Sequence, residues 1–149
     1  MVATISQVTI DCANPSALAD FWVEALRYEF ADPPKTFSTW DQWLEAAGVP
    51  EEEWDPGARP YNKIRDPEDR GPRIWFQRVP EPKLGKNRFH FDLRASADPT
   101  APVDQRKQEV GAESARLIAL GAQQIAAFED GDHYHVVMQD PEGNEFCLA

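Results

Sequence analysis

Cysteine is scarce in this 149-residue chain: Cys12 and Cys147 are the only two. Two cysteines make neither a disulfide framework nor a zinc-finger spacing, which fits a reducing compartment. Basic residues are also in short supply, 15 against 26 acidic, for a formal net charge of −11. That excess repels polyanions, so neither nucleic acid nor an anionic membrane is an expected partner. No apolar run approaches the roughly 20 residues of a membrane span, and no basic segment followed by an apolar run opens the chain. The expectation is a soluble, cytoplasmic protein. A hydrophobic fraction of 42% with 11% aromatics excludes a disordered chain. The length suits one domain, or two small units sharing one core.

What is present is a recurring division of strand faces. The closing stretch, 140–148, opens with the turn residues Asp140, Pro141, Gly143 and Asn144. A period of two then sets Phe146 and Leu148 against Glu145 and Cys147. The same division recurs in 5–12, where Gln7, Thr9 and Asp11 oppose Val8, Ile10 and Cys12. In 72–79, Ile74 and Phe76 oppose Arg73, Trp75 and Gln77. In 88–95, Phe89, Phe91 and Leu93 oppose His90, Asp92 and Arg94.

Two helices separate these strands. Asn14-Pro15 supplies an N-cap with proline at the first helical position, and Leu18, Phe21, Trp22, Ala25 and Leu26 form an apolar stripe. A second helix is expected over about 104–120, closed by Gly121, with strands over 122–127 and 134–138 after it. Residues 33–71 are irregular, with a short helix near Trp40, Trp43 and Leu44 and a short strand over 61–64. This segment reads either as a surface insertion packing its tryptophans on the sheet or as a lid.

The order strand, helix, strands occurs twice, with Gln7 matching His90, which implies a duplicated module: one at about 1–83 and one at about 84–149. One helix cannot cover both faces of its sheet. The helices are therefore expected on the apolar faces, leaving the polar faces to curve into a shared cleft. Its lining would be Gln7, Thr9, Asp11, Arg73, Trp75 and Gln77 from the first module. The second would add His90, Asp92, Arg94, Glu145 and Cys147. Converging polar groups with an aromatic wall make a small-molecule site. A solvated face or a dimer interface is the alternative.

The motif Asp-Pro-Glu-Gly-Asn before the last strand, Asn-Pro followed by Phe21-Trp22 after the first, and His90 in the 88–95 strand resemble the vicinal-oxygen-chelate superfamily. That group includes glyoxalases, extradiol dioxygenases, and bleomycin- and fosfomycin-resistance proteins. The resemblance implies an α+β fold: a single glyoxalase-like domain, 1–149, of paired βαβββ modules forming an incomplete barrel around a cleft. It also implies a homodimer. By position, Gln7, Gln77, His90 and Cys147 fall on the family's metal-ligand strands. Two amides, an imidazole and a thiol suit Mg²⁺, Mn²⁺ or Fe²⁺ poorly, since these favour carboxylates. No metal cofactor is therefore expected, with a divalent ion on Gln7, Gln77, His90 and Glu145, or a shifted set including Asp11, as the alternative. The expected function is binding of a hydrophobic or aromatic metabolite or antibiotic. The competing reading is a lyase, isomerase or dioxygenase-type enzyme using His90 and Glu145 as acid and base.

Overall fold

The computed structural model describes residues 2–149. The chain divides into two compact units, Met1–Pro82 and Lys83–Ala149. The first contains β1 (Gln7–Cys12), α1 (Pro15–Leu26), β2 (Glu29–Phe30), α2 (Trp40–Ala46), β3 (Lys63–Arg65) and β4 (Arg73–Arg78). The second contains β5 (Asp92–Leu93), α3 (Val103–Ala119), β6 (Gln123–Asp130), β7 (His133–Gln139) and β8 (Glu145–Leu148). Each unit builds a four-stranded mixed sheet, ordered β1-β4-β3-β2 in one and β5-β8-β7-β6 in the other. In both, the first strand runs parallel to the fourth and the remaining pairs are antiparallel. The fold is thus α+β with two βαβββ modules, and neither sheet closes on itself.

Helices α1 and α3 each cover the apolar face of their own sheet. In the first unit Leu18, Phe21, Trp22 and Ala25 of α1 are buried, as are Ile64, Ile74 and Phe76 of β3 and β4. Asn14 caps α1 by accepting from Ala17 N at 3.2 Å, with Pro15 inside the first turn. In the second unit Val110 and Leu117 of α3 are buried with Val136, Met138, Phe146 and Leu148. Gly121, at φ 112°, ends α3: its N–H reaches Ile118 O at 3.0 Å, and Ala122 N reaches Leu117 O at 3.0 Å. These two bonds are the Schellman pattern, which satisfies carbonyls the helix end would otherwise leave open.

Three expectations need correction. The strand expected over 88–95 is reduced to Asp92–Leu93, and Phe89 is 93% exposed instead of facing the core. β5 pairs only with β8, and the bond from Cys147 N to Phe91 O closes the ladder at that end, two residues short of Phe89. The segment 33–71 is not only an insertion, because β3 lies inside the sheet between β4 and β2. Finally, Val79 N bonds Cys12 O as Ala149 N bonds Leu93 O, both at 3.0 Å. That register makes Asp11 the counterpart of Asp92 and Thr9, not Gln7, the counterpart of His90. Hydrogen-bond ladders set equivalence between modules, whereas turn spacing drifts with loop length.

The turns leading into the two fourth strands are also equivalents. Asp66-Pro67-Glu68 precedes β4 and Asp140-Pro141-Glu142 precedes β8. The Asp66 carboxylate accepts from Glu68 N, Arg70 N and Gly71 N at 2.9, 3.1 and 3.0 Å. Asp140 accepts from Glu142 N at 2.9 Å and Asn144 N at 3.0 Å. A buried aspartate thus replaces the missing backbone acceptors of each turn.

Candidate functional site

In the first unit, the parallel ladder sets the expected polar residues side by side: Gln7 beside Arg73, Thr9 beside Trp75, Asp11 beside Gln77. Trp75 and Gln77 are half-buried, whereas Thr9, Asp11 and Arg73 are exposed. Trp75 is not a bare wall. It stacks on Tyr61 at 5.6 Å between centroids and 22° between planes. Tyr61 in turn meets Trp43 at 5.3 Å and Trp40 at 4.5 Å. Helix α2 and the 61–64 segment therefore place their aromatics against β4, because stacked and edge contacts between large rings hide apolar surface.

Next to this stack lies a cavity of about 530 Å³. Its apolar walls are Trp43, Leu44, Val49, Trp54, Pro60, Tyr61 and Trp75. Its polar groups are Glu52, Glu53, Asp55, Gln77 and Arg78. A second cavity of about 490 Å³ shares Glu52, Trp54, Asp55, Pro60 and Arg78 with it. The volumes and the mix of aromatic walls with a few polar groups fall within the range of small-molecule sites.

The wall is held by a buried polar latch. Asn62, fully buried, donates to Asp55 Oδ2 at 2.9 Å and accepts from Arg59 Nε at 2.9 Å. Arg59 also bonds Asp20 at 2.6 Å and Ser16 O at 3.1 Å, and lies 4.0 Å over the Phe30 ring. Segment 55–62 is thereby pinned to α1. Burial pushes the Asp55 carboxyl up, with Asn62 and Arg78 partly restraining it. Trp54 is fixed by its indole N–H to Val49 O at 3.0 Å and by Arg78, which reaches Trp54 O at 3.3 Å.

In the second unit, His90 Nε2 lies 3.3 Å from Asp92 Oδ1, and Asp92 is the ladder partner of Cys147. Ligand atoms of these three residues lie within 4.8 Å of one another. Burial and the Asp92 carboxylate push the Cys147 thiol up. Arg94 is exposed just beyond β5. Glu145 is engaged elsewhere: it accepts from Asn87 N at 3.0 Å, and Lys83 Nζ lies 3.2 Å from its Oε2. Burial raises the Glu145 pKa, but the bonds from Asn87 and Lys83 outweigh it and hold the carboxyl below its ordinary value. Glu145 thus ties the 83–87 segment to β8, and Asp92 is the carboxylate grouped with His90.

One nitrogen, one carboxylate and one sulfur form a donor set suited to a borderline ion such as Zn²⁺. A thiol is a weak ligand for Mg²⁺ or Mn²⁺. As a hard-metal site these residues do not fit.

Sequence reasoning assigned no site role to Asp55, Arg59 or Asn62, left Trp54 in an irregular segment, and placed Tyr61 only at the start of a short strand over 61–64. The repeated Asp-Pro-Glu was the available signal. It marks 66–68 as the turn into β4, and so places the residues just before it in β3 rather than in a peripheral loop.

Residues 7–149 match the glyoxalase-like domain family. Among solved structures, the chain is similar to a glyoxalase/bleomycin resistance protein/dioxygenase family enzyme from Burkholderia phytofirmans. The TM-score is 0.62 at 19% identity, over 98% of this chain and 97% of that one. It is also similar to a variant of the fosfomycin resistance protein FosX from Listeria monocytogenes, solved with Mn(II) and a dihydroxypropylphosphonic acid. Here the TM-score is 0.60 at 11% identity, over 99% of this chain and 90% of that one. No curated protein matches the sequence. At these identities the structural likeness speaks for the fold, and together with the family match over nearly the full length it settles membership: the chain belongs to the glyoxalase-like domain family of the vicinal-oxygen-chelate superfamily.

Proposed function

We propose that the protein binds a small molecule with a planar, hydrophobic body in the aromatic cavity of its first unit. The carrying observation is the cavity itself: about 530 Å³, walled by Trp43, Trp54, Tyr61 and Trp75 and edged by Gln77 and Asp55. Burying one aromatic ring against such walls stabilises a complex by several kcal/mol before ordering costs, on the order of 25 cal/mol per Å² of apolar surface. The Asn62 latch and the Trp54 hydrogen bonds hold the walls in place, which lowers the ordering cost on binding. The test is equilibrium dialysis of the protein against a mixture of planar metabolites and antibiotics, with bound compounds read by mass spectrometry. Retention of at least one planar compound, weakened about ten-fold or more in Trp75→Ala, is the expected result. Equal retention by wild type and Trp75→Ala would sink the assignment.

A second reading is favoured by the grouping of His90, Asp92 and Cys147. In it the protein is an enzyme in which Asp92 orients the His90 imidazole for proton transfer, as carboxylates do for catalytic histidines. An ion of the Zn²⁺ type, if bound there, would supply Lewis acidity.

A further inference from the structure

We infer that the ligand of the aromatic cavity is a cation: a planar or compact apolar body bearing a quaternary or protonated nitrogen. This deepens the proposed function and rests on it. The argument starts from what the rings can offer. Aromatic faces carry negative electrostatic potential, so several rings around one space attract positive charge as well as apolar surface. Trp43, Trp54, Tyr61 and Trp75 all line one cavity, with Tyr61 and Trp75 each turning one face to their mutual stack.

The ionisable groups at its edge have the matching sign. Glu52, Glu53 and Asp55 line the cavity against a single cation, Arg78. The adjoining cavity adds Asp41 and Glu51, and again Arg78 is its only basic group. Arg78 is partly neutralised in place, since it faces Asp55 and donates to Trp54 O at 3.3 Å. Glu52 and Glu53 have no ion-pair partner among the described residues. Nothing therefore balances their charge on the protein side. Both follow from a short 3₁₀ turn, Glu51–Glu53, that ends directly at Trp54. The turn thus brings the carboxylates and one of the rings to the same rim.

Asp55 adds a third element. Its carboxylate is half-buried at the junction of the two cavities, and removal from water makes its negative charge costly. A bound cation would recover part of that cost, whereas an anionic ligand would add to it. The overall charge of −11 acts in the same direction at long range, drawing cations in and repelling anions.

Three probes with one ring system separate the contributions: 1-methylquinolinium, quinoline and quinoline-4-carboxylate, each measured by equilibrium dialysis with the full chain at low ionic strength. The expected result is retention of the cation about ten-fold more strongly than quinoline, with no retention of the carboxylate. In Glu52→Gln/Glu53→Gln, the cation's advantage over quinoline should shrink, with an unchanged circular-dichroism spectrum and urea midpoint showing that the variant is folded. Quinoline retained as strongly as the cation, or an advantage unchanged in the double variant, would overturn the charge inference and leave the cavity reading standing. Retention of none of the three would overturn both.

Discussion

Asp66 shows how a single side chain can support a turn. Its carboxylate accepts three backbone N–H groups, from Glu68, Arg70 and Gly71. The Glu68 bond foremost, then those from Gly71 and Arg70, and the nearby Arg70 guanidinium hold its pKa below the ordinary carboxylate value, against a smaller upward push from burial. A folded-state pKa depressed in this way stabilises the fold wherever the carboxylate is ionised in the unfolded chain. That stabilisation is lost as pH falls through the folded value. Urea unfolding followed from neutral pH into acid should therefore show a shallower acid-side decline in Asp66→Asn than in wild type. An identical decline would mean that the turn bonds do not favour the ionised form. Neither this role nor that of Asn62 could be read from the sequence. Asp66-Pro67 reads as a chain breaker, and Asn62 as one more polar residue of the short strand over 61–64, because neither the turn's backbone donors nor the Asn62 partners Ser16, Asp55 and Arg59 follow from a repeating pattern.

Elements were more legible than single contacts where local chemistry alone decides them. The Asn14-Pro15 start of α1 and the Gly121 end of α3 were both readable, since a cap needs only its own residues. Gly121 holds φ 112°, a backbone region that L side chains rarely adopt. Gly121→Ala should therefore cost about 1 kcal/mol or somewhat more in chemical unfolding, with little change in the denaturant slope. A neutral result would mean that the Schellman bonds tolerate a different end geometry. Strand faces were also readable: Ile74 and Phe76 are buried while Trp75 and Gln77 are not fully so. Strand lengths were not. The alternation at 88–95 is as regular as any in the chain, yet only Asp92–Leu93 pairs with the single neighbour β8. Periodicity reports which way side chains would face in a strand, and the neighbour decides whether the strand exists.

For the whole molecule, the duplicated βαβββ order was legible because the pattern recurs across the full chain, and both sheets share it. The division of roles among the expected site residues was not. Sequence facing grouped eleven residues into one polar surface, but facing carries no information on which of them are already engaged by neighbours. Glu145 faces as expected and is held by Lys83 and Asn87, and Trp75 faces as expected and is stacked on Tyr61. The aromatic cavity arises from 43–61, the stretch with the weakest periodicity, where position is set by ring stacking and by the Asn62 latch rather than by a repeating pattern.

The central claim, that this cavity is the ligand site, is tested most directly by the five tryptophan indole N–H signals in a proton–nitrogen NMR spectrum. Each signal is assigned by a single Trp→Phe substitution, and the spectrum is followed while a retained planar compound is titrated in. Binding in the cavity predicts saturable shifts of Trp43, Trp54 and Trp75, with Trp22, on the buried face of α1, unmoved. Saturable binding that leaves those three signals in place would contradict the account.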